Sequence, residues 1–230
     1  MLPIHSIETF AHEPIRLVIF TQCNFRCRYC ENPDTIPYKA TKFIDTPEII
    51  ELIKKEIPYF GQEITFSGEP TIHAKKLIPI CQEIKKLVHI TLDTNSILND
   101  DVKELLRYID LVLPDIKHLN NLKHKWLTGK HNNPTIKFIK YLETIKKHFW
   151  VRHVLVPRYT NYTRHLKRLG RFLKKLKYLD RLEILPYHEL KHKRKELRPY
   201  TLEDIKPDNR ENVEKAKKIL EKYIAKVIIR

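Results

Sequence analysis

Glycine is scarce in this chain: 4 in 230 residues, where average usage of ~7% would supply about 16. That shortage excludes a Gly-rich linker protein and an array of tight hairpins. It also leaves few places where backbone amides could wrap a phosphate. Cysteine is scarce too, and unevenly placed, with Cys23, Cys27 and Cys30 close together and Cys81 alone. A secreted disulfide scaffold would spread an even set along the chain. No apolar run approaches the roughly 18 residues a membrane span needs. The opening MLPIHSIETFAHEP has no basic segment followed by an apolar one, so no signal peptide is expected and a reducing cytoplasm is the expected location. Acidic charge is also short, with 28 Asp and Glu against 44 Lys and Arg, a formal net charge of +16.

What is present suffices for a core, since 42% of the residues are hydrophobic. Short β-branched runs alternate with amphipathic stretches. The strand-like runs are Ile15–Phe20, Glu63–Ser67, His89–Asp93, Leu111–Ile116, Trp150–Val156 and Glu183–Tyr187, with a short seventh at Ala225–Ile229. Most are near-continuous in Val, Ile and Leu, as strands buried on both faces of a parallel sheet are. Helical stripes lie between them: Ile49, Ile50, Leu52, Ile53 and Ile57; then Leu77, Ile80, Cys81, Ile84 and Leu87; then Leu166, Leu169, Phe172, Leu173 and Leu176. Thr46 before Pro47 and Glu48 reads as a helix N-cap. The alternation predicts right-handed βαβ crossovers in an α/β fold, an open or partial (β/α) barrel. No linker interrupts it, so residues 1–230 are expected to form a single domain. In such folds chemistry gathers at the C-terminal strand ends.

After the first of these strands the chain reads Thr-Gln-Cys-Asn-Phe-Arg-Cys-Arg-Tyr-Cys-Glu-Asn, a C-x3-C-x2-C spacing. Three thiolates on one loop can converge on one metal centre. A structural zinc site would want four ligands in paired C-x2-C knuckles, and no fourth ligand follows at that spacing. A cubane iron–sulfur cluster takes four cysteines, so three would leave one iron open. Cys81 falls in a helical stripe and reads as a buried, inert thiol.

The remaining strand ends carry polar residues. Ser67-Gly68-Glu69-Pro70 follows the second strand, where a glycine lets the backbone approach a ligand and a carboxylate can pair with an ammonium. Asp93-Thr94-Asn95 ends the third and Asp115-Ile116-Lys117 the fourth. Carboxylates there are costly to bury without a cation. Arg152 and His153 lie on the fifth strand, and His188 just past the sixth.

Together these segments resemble the radical S-adenosylmethionine (SAM) superfamily. Within it they resemble the glycyl-radical enzyme activases of the pyruvate formate-lyase activating type. The likeness begins at Ile4-His5-Ser6 with Glu8-Thr9-Phe10 and continues through the cysteine loop and Asp93-Thr94-Asn95. It then takes in Asp110-Leu111-Val112, Asp115-Ile116-Lys117, Leu127-Thr128-Gly129 with Asn133, and Arg152 ahead of Val154-Leu155-Val156-Pro157. It ends at Leu185-Pro186-Tyr187-His188-Glu189-Leu190 with Lys193. The resemblance implies a partial (β/α)6 TIM-like barrel of the radical SAM type, with Cys23, Cys27 and Cys30 holding a [4Fe–4S] cluster. It implies that Tyr29, Cys30 and Glu31 contact adenine, that Gly68 and Glu69 bind the methionyl end, and that Asp115, Ile116, Lys117 and His188 line the S-adenosylmethionine pocket. Asp93, Thr94 and Asp115 would lie at a monovalent cation. The implied reaction forms a 5′-deoxyadenosyl radical that takes a hydrogen from a glycine of a partner enzyme. The implied partners are a glycyl-radical enzyme like pyruvate formate-lyase and a flavodoxin or ferredoxin as electron donor.

The departures from that family mostly remove glycine. Gln22 stands before the first cysteine, His12-Glu13-Pro14-Ile15-Arg16 replaces a Gly-rich opening, Glu31 follows Cys30 where the family has His, and Arg158 follows the fifth-strand proline. Other radical SAM chemistry is the alternative enzyme reading, on a ribonucleotide reductase, a deazapurine precursor or tRNA. A basic RNA-binding protein with a structural metal loop is the non-enzyme alternative. Residues 163–198 hold much of the basic excess. Because the Leu/Phe stripe there is amphipathic, Arg164, Lys167, Arg168, Arg171, Lys174 and Lys175 are read as a solvated helix face or a docking surface for an acidic partner, not an RNA surface.

Overall fold

The structure, a computed structural model, describes residues 1–10, 16–36, 42–60, 62–189, 202 and 204–230. Expectations at residues 12–15, at Leu190 and Lys193, and over 190–198 lie outside the described residues. The chain divides into two compact units. One is Met1–Asn24 with Asp34–Leu113, the other Phe25–Pro33 with Pro114–Arg230.

The first unit contains β1 (Leu2–Phe10), β2 (Arg16–Thr21), β3 (Lys42–Ile44), α1 (Thr46–Glu56), β4 (Glu63–Ser67), α2 (Ala74–Ile84), β5 (His89–Thr94), α3 (Asp100–Leu105) and β6 (Leu111–Pro114). Its strand order is β3-β1-β2-β4-β5-β6. Strands β2, β4 and β5 run parallel, in register Ile19↔Phe66 and Phe66↔Leu92. Ile19, Ile64, Phe66, Ile90 and Leu92 are fully buried; β2 (RLVIFT) is near-continuously apolar, whereas β4 (EITFS) and β5 (HITLDT) alternate, with Thr65 and Thr91 buried on the other face. Strands β1 and β3 pair antiparallel at the edge, β1 with a register shift between Ile4 and Ser6. They are additions to the strand set read from the sequence. In LPIHSIETF the polar residues hide a strand that is buried only toward its start.

The second unit contains the cysteine-loop segment, α4 (Asn121–Thr128), α5 (Asn133–Thr144), β7 (Phe149–Leu155), α6 (Thr163–Leu173), β8 (Leu179–Pro186), α7 (Arg210–Glu221) and β9 (Val227–Ile229). Strands β7, β8 and β9 are parallel, with Val154↔Leu185 and Ile184↔Ile229 in register. Leu166, Leu169 and Leu173 of α6 are buried, while the six cations named above on and just after this helix are exposed, as the amphipathic pattern predicts.

Three helix boundaries differ from the sequence reading. Asp45, not Thr46, occupies the N-cap of α1, without a side-chain bond, and Thr46 and Pro47 already lie in the first turn. Leu87 and Leu176 fall beyond the ends of α2 and α6, and Leu87 is exposed. Asparagines cap three other helices: Asn99 accepts from the Val102 N–H, Asn120 from Lys123 and Asn209 from Asn212. Cys81 is completely buried on α2, and burial pushes its thiol pKa up, so it is inert.

Candidate functional site

In the first unit the ends of β2, β4 and β5 meet through a buried network centred on Glu69. Parallel register brings Thr21 beside Ser67, and the Thr21 hydroxyl donates to the Ser67 carbonyl at 3.0 Å. Gly68 then turns with φ +84°, and a Cβ there would lie 2.2 Å from the Thr21 carbonyl oxygen. Only glycine fits that approach.

The turn sends Glu69 inward, where it is fully buried. Its Oε1 accepts from the Thr71 N–H at 3.2 Å, from the Thr94 hydroxyl at 2.6 Å and from the Thr71 hydroxyl. Its Oε2 accepts from the N–H groups of Asn95 at 2.6 Å and Ser96 at 3.1 Å. Burial raises the carboxyl pKa, and the hydrogen bonds from Thr71, Thr94 and Asn95 oppose that rise. Both oxygens thus accept from protein donors, so the residue ties the β4 and β5 loops together beside the close-approach position Gly68.

Thr94 is consumed by the same network, since its hydroxyl also accepts from the Ser96 N–H at 2.8 Å. Asp93, half-buried beside it, accepts from the Ser67 hydroxyl at 3.0 Å. Cys23 stands two residues past β2, half-buried, and the Asn95 side-chain amide donates toward its Sγ at 3.6 Å. Asn95 as a thiol partner was missed from sequence, where nothing marks an asparagine that follows a strand end as different from a turn former.

In the second unit, the segment bearing Cys27 and Cys30 is fastened to the end of α4. The N–H groups of Arg26 and Arg28 donate to the carbonyls of Thr128 and Leu127 at 2.8 and 2.9 Å. These are terminal helix carbonyls left without intrahelical partners. They are open because Gly129, at φ +76°, ends the helix in a left-handed turn. The Arg28 Nε also donates to the Trp126 carbonyl at 2.8 Å. The Cys30 N–H closes a turn on the Cys27 carbonyl at 3.0 Å. Cys27 and Tyr29 are buried, Cys30 is half-buried and Glu31 is exposed. Burial raises the Tyr29 phenol pKa well above its ordinary value, so it stays neutral.

Past β6, the Lys117 ammonium donates to Asp115 Oδ2 at 2.6 Å and lies 5.9 Å from the Tyr29 ring centre. Burial opposes the lysine charge, but Asp115 holds it charged. Ile116 is fixed through its backbone: its N–H donates to the Arg152 carbonyl at 3.0 Å, and its own carbonyl meets His153 Nδ1 at 2.6 Å. Arg152 donates to the fully buried Glu183 at 3.1 Å, where Arg181 and Arg230 converge as well. His188 is exposed, two residues past β8. Each unit thus assembles part of the expected set: Cys23, Gly68, Glu69, Asp93 and Thr94 in one, Cys27, Tyr29, Cys30, Asp115, Ile116 and Lys117 in the other.

The donor chemistry fits an iron–sulfur cluster. All three cysteines are outside any disulfide, soft thiolates suit iron–sulfur ligation, and the Asn95 N–H aimed at Cys23 is the kind of bond that tunes a cluster potential. Among the described residues no three His, Cys, Asp or Glu gather to hold a single metal ion. Thiolates on a cubane bind separate irons and stand further apart than the ligands of one ion.

The radical SAM superfamily pattern matches residues 17–173. The chain belongs to that superfamily, and its mixed α/β fold with parallel strands is the partial barrel of those enzymes. Its members use a [4Fe–4S] cluster with S-adenosylmethionine, and those are this protein's cofactors. Within the superfamily the chain is 38% identical to the pyruvate formate-lyase-activating enzyme of Staphylococcus epidermidis, over 93% of this chain and 92% of that one. The enzyme of the same name from Staphylococcus aureus shows the same figures. The protein is an S-adenosylmethionine-dependent radical activase. In fold it is similar to Streptococcus suis SuiB bound to S-adenosylmethionine, with TM-score 0.74, 18% identity, and coverage of 94% of this chain and 50% of that one. A domain of a pyruvate-formate lyase-activating enzyme from Bacteroides vulgatus has TM-score 0.62 and 22% identity, covering 74% and 99%.

Proposed function

We propose that this protein installs a glycyl radical on a partner enzyme of the pyruvate formate-lyase kind. The observation that carries the reading is the set of three thiols at C-x3-C-x2-C spacing: Cys23 stands just past β2 in one unit, and Cys27 and Cys30 lie in the other on a segment pinned by backbone bonds to α4, in a chain 38% identical to activating enzymes over nearly its whole length. Cys23, Cys27 and Cys30 hold the cluster. The cluster with bound S-adenosylmethionine supplies a one-electron cleavage of the sulfonium and so a carbon radical.

The chain's own residues bind, orient and exclude water. Gly68 lets the β4 loop pass close to Thr21 and, on this reading, close to the methionyl end of the ligand. Glu69 and Thr94 hold that loop rigid. The charged Lys117, buried with Asp115, is suited to a ligand carboxylate, and the buried, neutral Tyr29 to packing beside adenine. In the same reading Asp93, Thr94 and Asp115 would lie at a monovalent cation. His188, exposed past β8, lies on the entry side of the ligand pocket in this reading. No side chain need act as acid or base; orientation and dryness are what the protein supplies. Residues 1–230 act as one functional domain, and the family match spans parts of both units.

Among the described residues no helix is long and apolar enough to cross a membrane. Work in the cytoplasm under anaerobic conditions belongs to the same proposal, because a reduced cluster with an open iron is sensitive to oxygen. The test is anaerobic reconstitution followed by incubation with a pyruvate formate-lyase. The expected result is deoxyadenosine release together with a doublet glycyl-radical signal by electron paramagnetic resonance, both lost in Cys27→Ala. Deoxyadenosine without the doublet would place the activity on another target.

A further inference from the structure

The basic excess has a sharper location than composition shows. Residues 116–179 carry seventeen Lys and Arg and a single acid, Glu143, so this stretch holds the whole +16 and the rest of the chain balances. All of these cations are exposed except Lys117, Lys147 and Arg152. The segment forms most of the second unit, the one that contains Cys27 and Cys30.

One part of that cationic surface also carries apolar side chains, and it adjoins the cysteine loop. On α4, Leu122 and Trp126 lie one turn apart and are 75% and 40% exposed. Lys125 shares their helix face and is exposed. The Trp126 ring stacks on Tyr159 at 4.8 Å and 21°, and the Arg28 guanidinium lies over the same ring at 4.3 Å. Arg28 is the residue that immediately follows Cys27 and stands two before Cys30. Next to Tyr159, Arg158 is exposed and held at φ +68°, a left-handed backbone that costs a non-glycine residue roughly 1–2 kcal/mol. A cation is thus kept at a strained position beside the stack.

We propose that this face, Leu122, Lys125 and Trp126 of α4 with Arg28, Arg158 and Tyr159, is the docking surface for an acidic one-electron carrier protein that reduces the cluster. The inference rests on the cluster assignment above and goes beyond it by naming the face and the charge of its partner. An electron carrier must come close to the cluster, and here the aromatic–guanidinium stack is continuous with the loop that bears two of its ligands. The cations select an acidic surface, and a small apolar centre flanked by cations suits a transient, salt-sensitive encounter. A nucleic acid is disfavoured because the indole is already engaged by Arg28 and Tyr159 and so is not a free platform for a base. In the step itself one electron leaves the reduced flavin or iron–sulfur centre of the carrier and one enters the cluster, with no bond made or broken.

The test uses the reconstituted holoprotein with a flavodoxin as the probe, and two variants, Leu122→Ser and Lys125→Glu combined with Arg158→Glu. Binding is followed by flavin fluorescence over a salt series, and deoxyadenosine release is measured with reduced flavodoxin and, separately, with dithionite. The expected result is salt-sensitive binding, weakened in both variants, with flavodoxin-driven turnover down roughly tenfold and dithionite-driven turnover unchanged. Unchanged flavodoxin binding and turnover in the charge-reversed variant overturns the proposal. So does loss of the glycyl radical on added pyruvate formate-lyase with dithionite as reductant, which would give the face to the target enzyme. Absence of dithionite-driven deoxyadenosine release in the unaltered protein would instead strike the functional reading, and binding of flavodoxin would still report on the surface.

Discussion

The Asn95 side-chain amide donates toward the Cys23 thiol sulfur at 3.6 Å. The two residues are far apart in sequence but adjacent across the ends of β2 and β5, and Glu69 holds the Asn95 backbone in place through the Asn95 and Ser96 N–H groups. A donor to a cluster thiolate stabilises the more negative, reduced state. Asn95→Ala should therefore move the cluster potential to more negative values, by an amount readable in a redox titration followed by electron paramagnetic resonance. An unchanged potential would show that the amide does not reach the sulfur in the loaded protein.

Gly68 and Glu69 should fail differently. Gly68→Ala places a Cβ against the Thr21 carbonyl at a positive φ, and a loss of at least about 2 kcal/mol is expected in urea denaturation. Glu69→Gln keeps the shape but turns one acceptor into a donor facing Thr94 and Thr71 or Asn95 and Ser96. It should loosen S-adenosylmethionine binding and alter the cluster spectrum while Glu69→Asp partly restores both. Loss of stability alone, with ligand affinity intact, would count against its positioning role.

Arg158 offers a gain. Its left-handed backbone at φ +68° is one that glycine adopts freely, so Arg158→Gly should stabilise the fold by roughly 0.5–1 kcal/mol. The same change should weaken binding of an acidic carrier. Stability is read from the denaturant midpoint and binding from the salt-dependent titration, so the two effects separate.

Glu183 is fully buried among Arg152, Arg181 and Arg230. Burial raises its pKa, but the arginines overrule that and hold it below the ordinary glutamate range. Removing this charge leaves three guanidinium groups facing one another, so Glu183→Gln should cost about 3 kcal/mol or more by urea denaturation. A cost under about 1 kcal/mol would mean that the arginines find solvent.

Three buried histidines set an acid limit on stability. His165 stacks on His118 at 4.2 Å and meets His153 at 3.3 Å between ring nitrogens. Burial, with the neighbouring rings and Lys123, lowers His118 to about 4 and His165 to about 2; burial lowers His153 to about 4. The unfolded chain binds protons at these sites near pH 6.5 and the folded one does not. Stability from this cluster is therefore full above pH 6.5 and falls as the pH drops toward 4, by up to about 1.4 kcal/mol per pH unit for each histidine. Thermal melts across that window should show the slope, reduced in His165→Phe.

The parallel strands were legible because burial on both faces writes itself as a near-continuous apolar run, as in Leu17–Phe20 of β2, or as a β-branched alternation, as in Glu63–Ser67, whose bounds match the sequence reading. The edge strands β1 and β3 were not, since a strand buried on part of one face leaves a mixed pattern. The cysteine loop and Gly68 were legible because metal-ligand spacing and a left-handed close approach each restrict residue type at a fixed position.

Partner choice within the site was set elsewhere. Sequence shows that Glu69 is acidic and next to a glycine, which suits an ammonium as well as a backbone cap. Only the packing of the β4 and β5 ends shows that five protein donors already reach it. Likewise Gly129 reads as a helix stop, but only tertiary structure turns the carbonyls it leaves open toward Arg26 and Arg28. Sequence by itself determined what is local in this protein: strand periodicity, the three thiols and their spacing, the scarcity of glycine, the sign of the charge. The fold decided which donor meets which acceptor and which aromatic meets which cation, because hydrogen bonds and stacking depend on distances between residues that the chain separates and only packing brings together.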